Sequence, residues 1–237
     1  MFSIIKKEFF SFFSSFLGVG IMIVMFIALG FFTWIFDGNL LDFGYAEMGV
    51  FFDIIPWFLM LFIPSLTMRL FAEECENKSI DLLRILPISN AQIILGKILG
   101  AFLVICVILI PTLLYVFSIK KLSINFDLDY SIIIGQYLSL LLLSFTFVQI
   151  STLASLFSNK QSIAFVISIV FNYIFWEGSL QLNSILPFKM IDWDLFSLRT
   201  HFFTLSNGLI RFSEVFFFIG LNLVLFNLEV VRFKKVK

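Results

Sequence analysis

The chain has 237 residues, 60% of them hydrophobic and 14% charged, with 35 phenylalanines, a mean hydropathy of +1.05 and a formal net charge of zero. A soluble domain carries about 25% charged residues and could not hide so much apolar surface, so the composition predicts an integral membrane protein. The balanced charge excludes the basic excess of a nucleic-acid binder, and two cysteines, Cys75 in a charged stretch and Cys106 in an apolar run, suggest neither a disulfide framework nor a metal site.

At the start of the chain Phe2, Ile5, Phe9, Phe12 and Phe16 recur at helical spacing, with Ser3, Lys6, Lys7 and Ser14 around the other side. The pattern fits an in-plane helix at the cytoplasmic surface, or simply the first turns of the first span. The charge-free run from Phe9 to Phe36 is about twice the length of a signal-peptide core and ends without a small-residue cleavage site, which predicts a retained span. Spans need about 20 apolar residues. They are expected at 14–36, 48–68, 98–119, 132–156, 161–177 and 209–229. The second contains only Asp53 and the last only Arg211 and Glu214 before Leu228, all near helix ends where they reach headgroups. The expected fold is an all-α membrane protein of six transmembrane helices forming one domain, 1–237.

Positive residues are retained in the cytoplasm, which sets the orientation. With both termini inside, Lys6, Lys7, Arg69, Lys78, Arg84, Lys97, Lys160, Arg232, Lys234, Lys235 and Lys237 are cytoplasmic, leaving Lys120, Lys121, Lys189, Arg199 and Arg211 outside. The first external loop, Asp37 to Asp53, has no Lys or Arg at all.

Between the second and third spans lies RLFAEECENKSIDLLRILPISNAQIILGK, residues 69–97. A charge costs roughly 2.5 to 3.5 kcal/mol at the centre of a membrane helix, so this stretch belongs in water as a cytoplasmic loop. Glu73, Glu74 and Glu76 form an acidic cluster. Ile80, Leu82, Leu83 and Leu86 then line a short predicted helix capped by Ser79, with Asp81 near its N-terminus and Pro87 stopping it. Such an apolar knob rimmed by charge is a docking element, or else a solvated connector lying against headgroups.

The external segment 177–208 carries Leu195, Leu198, Phe202, Leu205 and Leu209 at steps of three and four, with Gly208 placed to end a helix. That amphipathic helix lies on the outer leaflet, packs on the end of the bundle, or dips partway in. His201, the sole histidine, lacks the partners that metal binding or acid–base catalysis needs and is assigned no chemistry. Within the spans the polar residues are neutral: Ser139, Ser144, Thr146, Gln149 and Ser151 in the fourth, Asn172 in the fifth, Asn222 and Asn227 in the sixth. They are expected to bond helix to helix, and the absence of a central carboxylate, lysine or histidine argues against ion-coupled transport.

No energy source is evident in the chain. AQIILGKI, residues 91–98, has Ala91 where a phosphate-binding loop needs its first glycine and Ile98 where it needs Ser or Thr. A Ser-His-Asp or paired-carboxylate hydrolase cannot be assembled from one histidine and solvent-clustered acids. Work done by this protein is therefore powered by a partner.

FAEECENKSIDLLRILPISNAQIILGKILGA resembles the loop of type-2 ABC transporter permeases, in which an acidic pair precedes Gly-Thr-x-Glu-x-Leu-Leu, a Pro-Ile-Ser and a Gly-Lys opening the third span. Glu73 and Glu74 match the pair, Leu82 and Leu83 the leucines, Pro87, Ile88 and Ser89 the break, and Gly96 and Lys97 the last element; Lys78, Ser79 and Asp81 depart from the pattern. LDFGYAEMGVFFDIIPWFLMLFIPSLTMRLFAEE, IPTLLYVF and SNGLIRFSEVFFF are similar to the gliding-motility-associated ABC transporter permeases of the GldF family. The resemblance implies a permease subunit of the cytoplasmic (inner) membrane, without a cofactor of its own. Its implied partners are an ABC ATPase that binds ATP and magnesium, and a second, larger permease subunit. Residues Glu73, Glu74, Glu76, Ser79, Asp81, Leu82, Leu83, Leu86 and Pro87 would then form the ATPase-coupling element. The alternative is a membrane scaffold or mechanical adaptor that uses the same ATPase contact to regulate extracytoplasmic machinery without moving a substrate.

Overall fold

An extended Ser15 (φ −83°, ψ 123°) splits the N-terminal stretch into α1 (Phe2–Ser14) and α2 (Phe16–Trp34), and its hydroxyl accepts the Gly18 N–H at 3.4 Å. The structure, a computed structural model, describes residues 1–40, 42, 48–77, 79, 88–123, 128–178, 180–181, 196–208 and 211–235. Of the two expectations for the N-terminus, the separate helix holds. Its inward face, however, is not the expected stripe. Ile4, Ile5, Glu8, Phe9 and Phe12 are half-buried, whereas Phe2 and Phe16 are 85% and 93% exposed. The face is turned because Glu8 has a cationic partner inside the bundle, described below.

Helix α3 (Gly49–Glu76) runs through Pro56 and Pro64 and continues eight residues beyond the expected span end at 68. Proline removes a backbone donor, and the helix persists because its flanks are locked into the bundle: Phe51, Ile55, Leu59, Ile63 and Phe71 are fully buried. Helix α4 (Asn90–Leu109) begins eight residues before the expected span, on a capping box in which Ser89 Oγ accepts Gln92 N–H at 3.3 Å and Gln92 Oε1 accepts Ser89 N–H at 3.2 Å. Of the expected 69–97 loop, residues 69–76 and 90–97 are therefore helical, as the ends of α3 and α4. At Pro111 a 3-10 turn (Ile110–Thr112) carries α4 into α5 (Leu113–Leu122), completing the third span.

The fourth span, α6 (Tyr130–Phe157), is the central post. It packs against α3, α4, α7 (Gln161–Tyr173, extended by a π-helical turn at Ile174–Gly178), α8 (Leu198–Ser206) and α9 (Phe212–Lys235). Lipid offers no hydrophobic driving force between helices, so packing and interhelical hydrogen bonds hold such a bundle. Asn172 Nδ2 donates to Ser151 Oγ at 2.9 Å, Asn222 Nδ2 to Thr146 Oγ1 at 3.0 Å, and the hydroxyls of Thr112 and Tyr137 lie 3.1 Å apart. Ser139 and Ser144 instead bond carbonyls of their own helix, and Asn227 is exposed, with its amide on Leu223 O. Most of the neutral polar residues therefore do bond helix to helix or back to backbone. Gln149, fully enclosed, keeps an unpartnered Oε1 among the described residues.

At the end of the bundle that carries α8, Trp176 is buried between Phe147 and Phe202, and Ser197 Oγ donates to Trp176 O at 3.2 Å. Leu198, Phe202 and Leu205 of α8 are fully buried, so this helix packs on the bundle; Leu195 and Leu209 lie outside the described residues. Gly208 adopts φ +82°, a conformation other residues avoid, and closes α8. Arg199 pairs with Glu177, and His201 bonds Glu214 while stacking on Phe217. Among the described residues six helices are long and apolar enough to cross a membrane: Phe16–Trp34, Gly49–Glu76, Asn90–Leu122, Tyr130–Phe157, Gln161–Gly178 and Phe212–Lys235.

Candidate coupling site

The acidic cluster does not float in a loop. Glu73, Glu74 and Glu76 occupy the last turns of α3; Glu74 is largely enclosed and Glu76 is exposed. Ser79 folds back onto this helix end, its N–H donating to Glu74 O at 2.9 Å and its hydroxyl at 3.4 Å. The short helix it is expected to cap, with Asp81, Leu82, Leu83, Leu86 and Pro87, lies outside the described residues.

What the structure adds is the cation these acids face. Lys97, only 1% exposed, sends its ammonium to Glu74 Oε1 at 2.7 Å, Glu8 Oε1 at 3.1 Å and Leu70 O at 2.6 Å. Three acceptors match the three ammonium N–H groups. The Phe71 ring, its centroid 5.0 Å from Nζ, adds a cation–π face. A buried charge is tolerable only when paired and fully hydrogen-bonded, and this one is. Lys7 contributes little to the site: it is 3.8 Å from Glu74 Oε1 on a side chain 65% exposed.

Glycines make the site possible. A Cβ at Gly100 would sit 2.8 Å from Glu8 Cβ and 3.2 Å from Ile5 O, and one at Gly96 would sit 3.1 Å from Ile4 Cβ. With no side chain at either position, α1 lies directly on α4 and carries Glu8 to Lys97. Gly96-Lys97 is therefore a helix-packing element in the interior of α4 rather than part of a phosphate-binding loop.

Two further ties converge here. Arg69 Nη1 donates to Ser15 Oγ at 3.0 Å, joining α3 to the α1–α2 break. Ser155 Oγ of the central post accepts the N–H groups of Phe71 and Ala72 at 3.2 and 3.0 Å and donates to Met68 O at 3.2 Å. Displacing the segment between α3 and α4 would thus load α1, α4 and α6 together. Sequence reasoning missed Glu8, Lys97 and Ser155 as members of the site. The available signal was a lysine between two glycines four apart, in an otherwise apolar run.

A second carboxylate lies on α9. The expected absence of acids concerned the middle of the spans, whereas Glu229 stands at the end of the expected last span; α9 continues past it to Lys235, and Glu229 is fully buried.

The architecture is that of a multi-pass membrane protein in which the helix ends flanking the charged segment are tied to several spans at once. Residues 42–180, more than half of the chain, match the ABC-2 family transporter proteins, and the chain belongs to that family. No curated protein matches it. Membership makes it the transmembrane permease subunit of an ABC transporter, a class that carries no ATPase site of its own and works with an ABC ATPase. The matched region takes in α3 and α4 with Glu74 and Lys97, but neither Glu8 nor Glu229.

Proposed function

We propose that this protein converts ATP hydrolysis by its partner ATPase into movement of its spans, with Glu73 to Pro87 as the docking element and the Lys97 knot as the first transmission point. The observation that carries this reading is the single ammonium held by Glu74, Glu8 and Leu70 O, because it joins both helices flanking the docking element to the N-terminal helix. Coupling requires the docking element to bind two ATPase states differently, and a rigid connection then passes the difference on.

The same end of the bundle gathers the chain termini, since Glu8 of α1 meets Lys97 and Phe233 of α9 packs 5.5 Å from Phe71. Lys6, Lys7, Lys97, Arg232, Lys234 and Lys235 make that end basic, which supports its placement in the cytoplasm with the protein in the inner membrane. The resemblance noted above extends the proposal to a complex with a second, larger permease subunit and a role in gliding motility. Replacing both Leu82 and Leu83 by Asp tests the docking claim: the ATPase should no longer co-purify with the permease, and undiminished co-purification would remove it.

A further inference from the structure

Glu229 is the one carboxylate in the described residues that is fully buried and has no hydrogen-bond partner on either oxygen. It lies on the inward stripe of α9 formed by Phe218, Asn222, Leu225, Glu229 and Phe233. Six residues separate it from Lys235, about 9 Å along the helix at 1.5 Å per residue. An ionised carboxylate without a partner is prohibitively costly in such a place, whereas the neutral acid is an ordinary polar group that needs one acceptor for its O–H.

Helix α6 is the main neighbour of α9. The Asn222–Thr146 hydrogen bond and the Arg232 guanidinium, 4.6 Å from the Phe157 ring centroid, fix α9 parallel to α6 at two levels. Gln149 of α6 falls between the levels of Asn222 and Glu229. Its Oε1 and the Asn222 Oδ1 are both buried without a donor among the described residues.

Among the described residues no cation pairs with Glu229, although the buried Nε of Arg232, three residues on, also has no hydrogen-bond partner. Helix α6 brings no charged residue, and α8 brings Arg199 and His201, engaged with Glu177 and Glu214. Helix α4 brings the Cys106 thiol and Lys97, whose ammonium is already held. The α3 residue Phe71 packs on Phe233, with Arg69 committed to Ser15 and Glu73, Glu74 and Glu76 adding only further acid. On α9 itself Arg232 turns to Phe157 and forms no ion pair with Glu229, while Lys234 and Lys235 are exposed.

We propose that Glu229 is a proton-binding site, its carboxyl neutral in the buried position seen here. The assignment is independent of the docking reading, because it rests on α6 and α9 alone. The test is reaction of the complete complex, in its native membrane, with dicyclohexylcarbodiimide. This reagent takes its proton from a carboxylic acid and bonds the carboxyl oxygen, so a buried neutral acid is modified and an ionised one is not. Mass spectrometry should find the adduct on Glu229 at neutral pH, fading as pH rises and absent in Glu229→Gln. The same substitution should remove a carboxylic-acid C=O band from the infrared spectrum and leave the complex assembled. Absence of both the adduct and the band would overturn the proposal. So would an adduct that appears only in Arg232→Gln, which makes Glu229 an ion-paired carboxylate, or one suppressed by sodium at constant pH, which makes the ligand a metal cation.

Discussion

Lys97 Nζ and Glu74 Oε1 lie 2.7 Å apart across the two ends of the segment that joins the second and third spans. The pair closes that segment at its base, and Glu8 makes the closure a three-helix junction. The two flanking helices, α3 and α4, are thereby tied to each other and to α1.

Replacing Lys97 by Met leaves Glu8 and Glu74 facing each other without their cation. Removing one member of a buried ion pair costs about 3 to 5 kcal/mol. The lower figure is expected here, since the Glu8 and Glu74 side chains keep 15% and 13% of their surface accessible. Thermal unfolding in detergent should show the loss, and adding Glu8→Gln with Glu74→Gln should restore most of it.

Gly100→Val tests the seating of α1. The new Cβ would fall 2.8 Å from Glu8 Cβ, a distance that forces α1 off α4. A cysteine introduced at Ile5, half-buried in the native protein, should become labelled by a water-soluble maleimide in the Val variant at least as fast as one at exposed Ser11.

The bond between Asn222 and Thr146 anchors the last span to the central post. Interhelical hydrogen bonds in membranes average about 0.6 kcal/mol in double-mutant cycles, so Asn222→Leu with Thr146→Val should return a coupling near that value. A coupling of zero would mean the two helices are held by packing alone.

Single cysteines at Leu198, Phe202 and Leu205 should resist water-soluble thiol reagents, and one at exposed Asn207 should react. Phe202→Ala would in addition remove the aromatic partner of Trp176, with a core-truncation loss of about 3 to 5 kcal/mol.

Three spans were legible as charge-free runs long enough to cross lipid, whereas those expected at 48–68, 161–177 and 209–229 rested on shorter runs extended through their flanking residues. Less legible were the helix ends at Glu76 and Asn90. Charge marks where a chain leaves the hydrocarbon, not where it stops being helical, so the acids of α3 read as loop. The capping box Ser89–Gln92 was visible as a Ser with Gln three residues later and would have placed the start of α4. For α1, an apolar stripe through Phe2 and Phe16 was the natural choice, since nothing local reveals that Glu8 has a lysine waiting 89 residues away. The external helix was readable from Leu198, Phe202 and Leu205, whereas its choice of bundle over leaflet depended on the pocket that Trp176 and Phe147 form from other spans.

The central claim is that motion enters the spans through Lys97. The direct measurement is the distance between spin labels at Ser11 and Asn207 in the reconstituted permease–ATPase complex, with and without ATP. It should be made in the native chain and in Glu8→Gln, Glu74→Gln, Lys97→Met, which keeps the packing and removes the charges. The account expects an ATP-dependent shift in the native complex and its loss in the triple variant, with the ATPase still bound and turning over. The same shift in both would contradict it.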